Sequence, residues 1–182
     1  MPVGSSDEHV ALHEAVRGWA ERYSPSSEVR ALLDAETEER PTFWADLAAQ
    51  GWTGLGVAEA LGGEGYGLPE VVVVLEELGS ACTPGPYLAS VLAAAVLNDV
   101  DPRSAEVGDA LRGLAAGSLI GAVALAGTLS AESSGAGALK VSGTVSPVLS
   151  GHLADVVIAD AHGTWVLLER TDFEARELES MD

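Results

Sequence analysis

The stretch FWADLAAQGWTGLGVAEALGGEGYGLPEVVVVLEELGSACTPGPY, from Phe43 to Tyr87, decides the fold. It carries apolar residues at helical spacing up to Gly51, then seven glycines within residues 51–69, then a valine-rich segment that starts at Pro69. Glycine-rich sequence favours turns over helix or strand, and proline is favoured in the first turn of a helix. The stretch therefore predicts two helices joined by a compact loop.

Further helices are predicted on both sides of this stretch, because apolar residues recur three and four positions apart. One runs from Asp7 to Tyr23 and a second from Ser27 to about Glu36, and two more follow over residues 88–96 and 104–115. The valine-rich helix should be central, because β-branched residues are mediocre helix formers and need tertiary burial to select this conformation. The six helices predict an all-α bundle.

The pattern changes at Gly117. LIGAVALAG is a continuous apolar run, ALKVSGTV and TWVLLE alternate, and DVVIADA is short and β-branched, so all four predict strands. Residues 130–137 are predicted as a loop between the first two strands, and residues 161–164 as a hairpin turn. The fold class is therefore α+β, with a helical domain over residues 1–116 and an antiparallel β domain over residues 117–182.

The chain is strongly acidic, with 28 Asp and Glu against 9 Lys and Arg and a net charge of -19. Such a charge offers no cationic surface for nucleic acid or anionic lipid. Cys82 is the only cysteine, so an intrachain disulfide is excluded and a reducing cytoplasm fits. The longest apolar runs fall well short of the roughly 20 residues that span a bilayer, so we expect no membrane partner.

Polar pairs in the helices do not form an evident chemical site. His9 and His13 lie four residues apart, a spacing that can hold a metal, but no third ligand is evident and a solvent-facing pair is the favoured interpretation. Glu76 and Glu77 are neighbours that diverge by about 100° around a helix, so they are not expected to act as an acid–base pair. No metal site is predicted.

The GGEGYG loop could cradle a phosphate through its backbone amides, but it lies between two helices without a preceding strand, so a structural turn is favoured. Cys82 is interpreted as a small packed residue. All four tryptophans are expected in the core: Trp19, Trp44, Trp52 and Trp165.

The order FWADLAAQGW, GGEGYG, EELG and then VSGTVSPVLSGHLADVVIADA resembles the acyl-CoA dehydrogenase family over essentially the whole chain. PGPYLAS is similar to a segment of actinobacterial members that act on bulky substrates such as steroid side chains. The resemblance implies FAD-dependent conversion of an acyl-CoA to its 2,3-enoyl-CoA. It also implies a second helical domain that carries the catalytic glutamate, and the sequence ends at Asp182, where that domain should start. No catalytic residue is therefore assigned.

At the positions of the family's flavin contacts, this sequence has residues whose side chains form no hydrogen bonds. Near the family's Thr-Glu pair, this sequence has Ala126 and Gly127. Where the family has an aliphatic residue followed by Thr or Ser, this sequence has Val148 and Leu149. None of these side chains can donate the hydrogen bonds that the family's residues give. By family position, the cofactor contacts are Ala126, Gly127, Val148 and Leu149, and the substrate-side contacts are Tyr66, Ser142 and Ser146.

The resemblance and these losses together predict a non-catalytic subunit or fragment of a cytoplasmic heteromer. A homologous acyl-CoA dehydrogenase subunit is the expected partner, with acyl-CoA and FAD handled at their interface. Two alternatives stay open: a ligand-free structural or regulatory scaffold of such a dehydrogenase, and a piece of a longer protein.

Overall fold

A computed structural model describes residues 6–24, 29–30, 37–99, 104–133 and 139–178. Within these ranges, five α-helices with described bounds precede five strands: α1 (Asp7–Tyr23), α2 (Trp44–Ala49), α3 (Leu68–Ser80), α4 (Tyr87–Asn98), α5 (Ala105–Ala115), β1 (Gly121–Ala124), β2 (Gly127–Ser133), β3 (Leu139–Val145), β4 (Val156–Ala161) and β5 (Thr164–Glu169). The predicted α+β class is confirmed. The helix predicted from Ser27 to about Glu36 lies outside the described residues, apart from positions 29 and 30. The division into 1–116 and 117–182 stays a prediction.

The core of the helical unit forms around the aromatic side chains of α1 and of the stretch from Phe43 to Tyr87, the signature stretch. The Trp19 ring lies edge-on to Phe43 at 5.4 Å and to Trp52 at 5.5 Å between centroids. Val73 and Val74 in α3 are fully buried, as expected for a central valine-rich helix. Within the described ranges, no helix combines the length and the hydropathy needed to cross a bilayer.

A polar row joins α1 to α3 beside this core. The His9 Nε2 atom lies 2.8 Å from Glu70 Oε1, and His13 Nδ1 lies 2.9 Å from Glu77 Oε1. Arg17 also donates to Glu77, from Nε at 3.1 Å and Nη2 at 2.8 Å. The solvent-facing interpretation of the two histidines was therefore wrong, because α1 packs along α3 and turns both rings toward carboxylates.

The two adjacent glutamates of α3 have opposite environments. Glu76 is exposed, whereas Glu77 is only 8% exposed, so the expectation that they do not face each other is confirmed. Hydrogen bonding from Arg17, followed by that from His13, lowers the pKa of Glu77 despite its burial. Glu77 is thus held as a carboxylate under α1.

The strands form two separate sheets. One has the order β1-β4-β5 and the other pairs β2 with β3. β2–β3 and β4–β5 are antiparallel, but β1 and β4 are parallel, so the antiparallel description fails for β1. The chain can return in the same direction because β2 and β3 intervene in the second sheet. The loop predicted from residue 130 is also wrong in part, since residues 130–133 belong to β2.

The helical unit and the sheets meet at the end of α5. The indole Nε1 of Trp44 donates to the Gly117 carbonyl at 2.8 Å, and the Thr53 hydroxyl donates to the Ala115 carbonyl at 2.7 Å. Gly117 has φ +65°, and a Cβ there would lie 2.4 Å from the Ala48 Cβ. Glycine is therefore required at this junction for both conformation and space.

We expect Glu77→Gln to lower the free energy of unfolding at pH 7 by about 1–2 kcal/mol, because it removes the charge of a buried hydrogen-bond acceptor. The loss stays modest because its partner Arg17 is largely exposed. The folded-state pKa of Glu77 is depressed, so its contribution is present above the unfolded-state pKa of about 4.3. That contribution is lost as the pH falls through the folded-state value. Urea denaturation across this pH range measures the difference between variant and wild type, which should close in acid.

Glu76→Gln is the matched control, because it makes the same chemical change at an exposed neighbour. It should alter stability by less than about 0.5 kcal/mol. Equal effects of the two substitutions would show that the polar row between α1 and α3 does not stabilise the fold.

Gly117→Ala should destabilise the protein more than Gly163→Ala. Both glycines have positive φ, at +65° and +86°, but a Cβ at Gly163 meets nothing within 4 Å. We expect about 1–2 kcal/mol for G163A from conformation alone and about 1–3 kcal/mol more for G117A from overpacking. Thermal and urea denaturation measure both; similar losses would mean that the Ala48 contact relaxes freely.

Candidate functional site

A groove of about 1680 Å³ opens between the helical unit and the two sheets. The inner faces of both sheets form one wall, and residues 37–43 with the end of α1 form the other. The following apolar side chains are among its lining residues: Phe43, Leu129, Val141, Val145, Val157, Leu168 and Phe173. The groove is larger than a typical small-molecule pocket of about 300–1000 Å³.

Residues 172–178 run along the groove and are tied to the opposite wall. The Glu177 carboxylate accepts from the Glu38 backbone N–H at 3.2 Å, and its Oε1 lies 3.4 Å from His152 Nε2. Arg40 donates to Asp155 Oδ2 at 2.9 Å, and the same oxygen accepts from the Ile120 backbone N–H at 2.8 Å. These contacts fix the width of the groove.

Carboxylates outnumber guanidinium groups around the groove. In the described part of the chain, the acidic lining residues are Glu38, Glu39, Asp172, Glu174 and Glu177, and the arginines are Arg40 and Arg176. Since Arg40 is already engaged with Asp155, the groove is a poor place for a polyanion.

The four positions assigned to flavin contacts lie at one end of the β2–β3 sheet. Gly127 pairs with Val145 in the strand register, and Val148 and Leu149 follow three and four residues after Val145. Val148 lines the groove, and Leu149 is 56% exposed.

Side chains at these positions do not fit the hydrogen-bonding requirements of FAD. Alanine, glycine, valine and leucine carry no side-chain donor or acceptor. Backbone groups are all that Ala126, Gly127, Val148 and Leu149 could offer to a flavin ring.

The substrate-side candidates are not brought together. Ser142 and Ser146 line the groove, and the Ser142 hydroxyl lies 3.0 Å from that of Ser130 on the neighbouring strand. Tyr66 lies elsewhere, half exposed in the glycine-rich loop and outside the groove lining. The structure thus places the two serines in the same groove as Val148 and leaves Tyr66 apart.

The backbone N–H groups of the GGEGYG loop form hydrogen bonds within the same chain. The backbone N–H groups of residues 64–66 donate to carbonyls within residues 54–57 at 2.8 to 3.0 Å. A Cβ on Gly63 would lie 2.1 Å from the Val57 carbonyl oxygen, so the loop has no space for an added atom there. The structural-turn interpretation is confirmed, because these amides are already used and none is left for a phosphate.

Two expectations about single side chains were wrong. Cys82 is exposed at the groove with φ 52°, rather than packed, because the chain turns sharply after α3. Trp165 is 52% exposed because β5 lies at a sheet edge, whereas Trp19, Trp44 and Trp52 are in the core as expected. Among the described residues, no three His, Cys, Asp or Glu side chains gather as a metal site.

The residues that shape the groove were missed by sequence reasoning. Arg40 and Asp155 are 115 positions apart, and Glu38 and Glu177 are 139 apart. No spacing in the sequence signals such contacts. Asp155 lies within the family-like segment VSGTVSPVLSGHLADVVIADA, but nothing in that segment indicates a contact with Arg40.

The sequence comparisons point to one family. Residues 6–100 match the family profile described as acyl-CoA dehydrogenase, N-terminal domain. The chain is 34% identical over 173 residues to acyl-CoA dehydrogenase FadE34 of Mycobacterium tuberculosis. It is 31% identical over 178 residues to acyl-CoA dehydrogenase IpdE2 of Mycolicibacterium smegmatis. These alignments cover 90% and 97% of this chain, but 23% and 49% of the two relatives.

Solved structures give the same result. The Tcur3481–Tcur3483 steroid ACAD superposes with a TM-score of 0.78 at 29% identity, over 90% of this chain and 48% of that one. The ChsE4–ChsE5 complex from Mycobacterium tuberculosis gives 0.77 at 26% identity, over 93% and 49%. The chain spans about half the length of these proteins. With the helical order, the sheet pairing and the profile match in agreement, the chain belongs to the acyl-CoA dehydrogenase family.

Proposed function

We propose that this chain is a non-catalytic subunit or fragment of a heteromeric acyl-CoA dehydrogenase, working beside a homologous dehydrogenase subunit. The assembly catalyses FAD-dependent 2,3-dehydrogenation of an acyl-CoA thioester. One argument carries the proposal: the residues that the family resemblance assigns to the flavin, Ala126, Gly127, Val148 and Leu149, present no polar side chain. A homologous partner subunit then supplies the flavin contacts and the catalytic base.

The acidic charge of the groove supports the proposal that the partner subunit, rather than this chain, contacts the CoA phosphates. CoA is a polyanion, and among the described residues five acidic side chains and two arginines line the groove, within a chain of net charge -19. Such a potential disfavours CoA phosphates. The partner subunit therefore provides the cationic contacts that the CoA moiety needs.

The relatives support a heteromer and a bulky acyl group. One solved relative is described as the ChsE4–ChsE5 complex and another as a steroid ACAD. By this likeness, the substrate class is an acyl-CoA whose acyl group is steroid-like. The nature of the acyl group is the finer part of the proposal and rests on these two proteins alone.

The alternative function is a scaffold that stabilises or regulates a partner dehydrogenase without touching ligand. The missing hydrogen-bond donors at the flavin positions favour it equally, since a pure scaffold has no use for them. The two functions differ in whether this chain changes the chemistry of its partner or only its stability.

We expect the chain purified alone, from medium supplemented with riboflavin, to be colourless and to leave the fluorescence of added FAD unchanged. The physical reason is the lack of side-chain donors at the flavin positions. A family member that purifies with bound FAD, prepared identically, serves as the positive control for the assay. A yellow preparation with stoichiometric FAD would reverse the proposal that this chain does not hold the cofactor.

Co-expression with an acyl-CoA dehydrogenase encoded beside this gene should yield a stable complex that oxidises a steroid-type acyl-CoA faster than the partner does alone. Mass measurement gives the stoichiometry, and reduction of an electron-acceptor dye gives kcat and KM. A complex with unchanged kcat and KM but a higher partner Tm identifies the scaffold. If no complex forms, the heteromer proposal fails.

A further inference from the structure

Three buried polar atoms of the helical unit have no hydrogen-bond partner among the residues that the structure describes. They are the indole Nε1 of Trp19 and the hydroxyl oxygens of Ser24 and Thr83. Buried polar groups in folded proteins are nearly always paired, because an unpaired group loses its bonds to water and gains nothing in return. Each of these atoms therefore needs a partner.

The indole has aromatic faces beside it. The rings of Phe43 and Trp52 stand at 87° and 80° to the Trp19 ring, with centroids 5.4 and 5.5 Å away. An N–H group can donate weakly to such a face. The two hydroxyls of Ser24 and Thr83 have no comparable neighbour in the described contacts, so they are the atoms whose partner has to be found.

The alignment of α1 and α3 shows where the two hydroxyls lie. His9 contacts Glu70, and Arg17, two turns further along α1, contacts Glu77, two turns further along α3. The two helices therefore run in the same direction. Since both rise by the same amount per residue, a residue of α1 stands level with the residue of α3 that follows it by about 60 positions.

This alignment brings the two hydroxyls to the same level. Ser24, directly after α1, stands level with Pro84, and Thr83, three residues after the end of α3, stands level with Tyr23. Tyr23, Ser24 and Pro84 also border one common space. Both hydroxyls thus belong to the angle between the ends of two parallel helices.

The backbone at these two ends is already arranged as helix caps. The Ser24 N–H donates to the Ala20 carbonyl at 2.8 Å, and the Thr83 N–H donates to the Leu78 carbonyl at 2.9 Å. The last carbonyl groups of a helix have no intrahelical donors, and a helix C-terminus carries a partial negative charge. A molecule placed between the two ends is favoured if it donates hydrogen bonds.

These requirements select a small neutral molecule that both donates and accepts. A serine or threonine hydroxyl carries no charge with which to balance a buried ion, and burial of an unbalanced ion is costly. Water can donate to two acceptors and still accept from a hydroxyl. A buried water typically makes about three hydrogen bonds to groups that are otherwise unsatisfied.

We propose that Ser24 and Thr83 hold one buried water molecule, which joins the C-terminal end of α1 to the turn between α3 and α4. The site does not depend on the proposed heteromer or on what covers the groove, because both hydroxyl oxygens are buried within the helical unit itself. The water adds a bond between two helices at the point where the chain turns toward α4.

The sign of a stability change tests the site. Thr83→Val keeps nearly the same side-chain shape and removes the hydroxyl. If the hydroxyl binds water, the equilibrium constant for unfolding in urea at pH 7 should rise about fivefold, because a buried hydrogen bond is lost. An unpaired hydroxyl predicts the opposite, since removal of an orphaned polar atom is neutral or stabilising. A neutral or stabilising result overturns the proposal.

The matched control is Thr42→Val, at an exposed threonine, which should change the unfolding constant by less than about twofold. Ser24→Ala should raise the constant about fivefold, like T83V. Because one water serves both hydroxyls, the double variant should cost clearly less than the roughly 25-fold product that independent sites would give. A full product overturns the shared water.

A crystal structure of the intact chain at high resolution tests the site directly and does not require any variant to fold. We expect one water within about 2.6–3.2 Å of both hydroxyl oxygens. A protein atom in that place, or a direct bond between the two hydroxyls, overturns the proposal. If exchange of sodium for potassium or choline shifts the wild-type urea midpoint but not that of T83V, the ligand is a cation rather than water, which also overturns it.

Discussion

The arrangement of the helical unit and the sheets depends on which donors form hydrogen bonds with the carbonyl groups at the C-terminal end of α5. A helix leaves its last carbonyl groups without intrahelical partners, and two of the donors that meet this end come from the signature stretch. Thr53 bonds the Ala115 carbonyl and Trp44 bonds the Gly117 carbonyl. Gly117 then takes a left-handed conformation, and the chain leaves toward β1. The direction of the first strand is therefore set by residues more than sixty positions earlier in the sequence.

Much of the fold could be predicted from periodicity, because most of the helices bury one side and expose the other. The first helix, the valine-rich helix, the hairpin at residues 161–164 and the compact glycine loop all follow from local patterns that agree with their environment. The register of β2 and β3 aligns Gly127 with Val145, and the flavin contacts assigned by family position stay a prediction.

What escaped prediction depends on contacts between distant elements. The rings of His9 and His13 are turned toward Glu70 and Glu77 by the packing of α1 on α3, which no helical spacing reveals. Residues 130–133 look like loop because they are small and polar, yet strand pairing with β3 overrides that composition. The parallel β1–β4 pair and the exposed edge at Trp165 similarly depend on the order of strands in space.

The β unit leaves its bulkier apolar side chains only partly buried along the groove, so the stability of the fold depends on what covers them. Anything that covers Val141, Val145, Leu168 and Phe173 binds the folded chain and not the unfolded one, because only folding gathers them in one groove. Mass action then makes the free energy of unfolding rise with the logarithm of the concentration of the covering molecule. The melting temperature of this chain is consequently a property of the mixture in which it is measured, and cellular abundance of the chain would follow that of whatever occupies the groove.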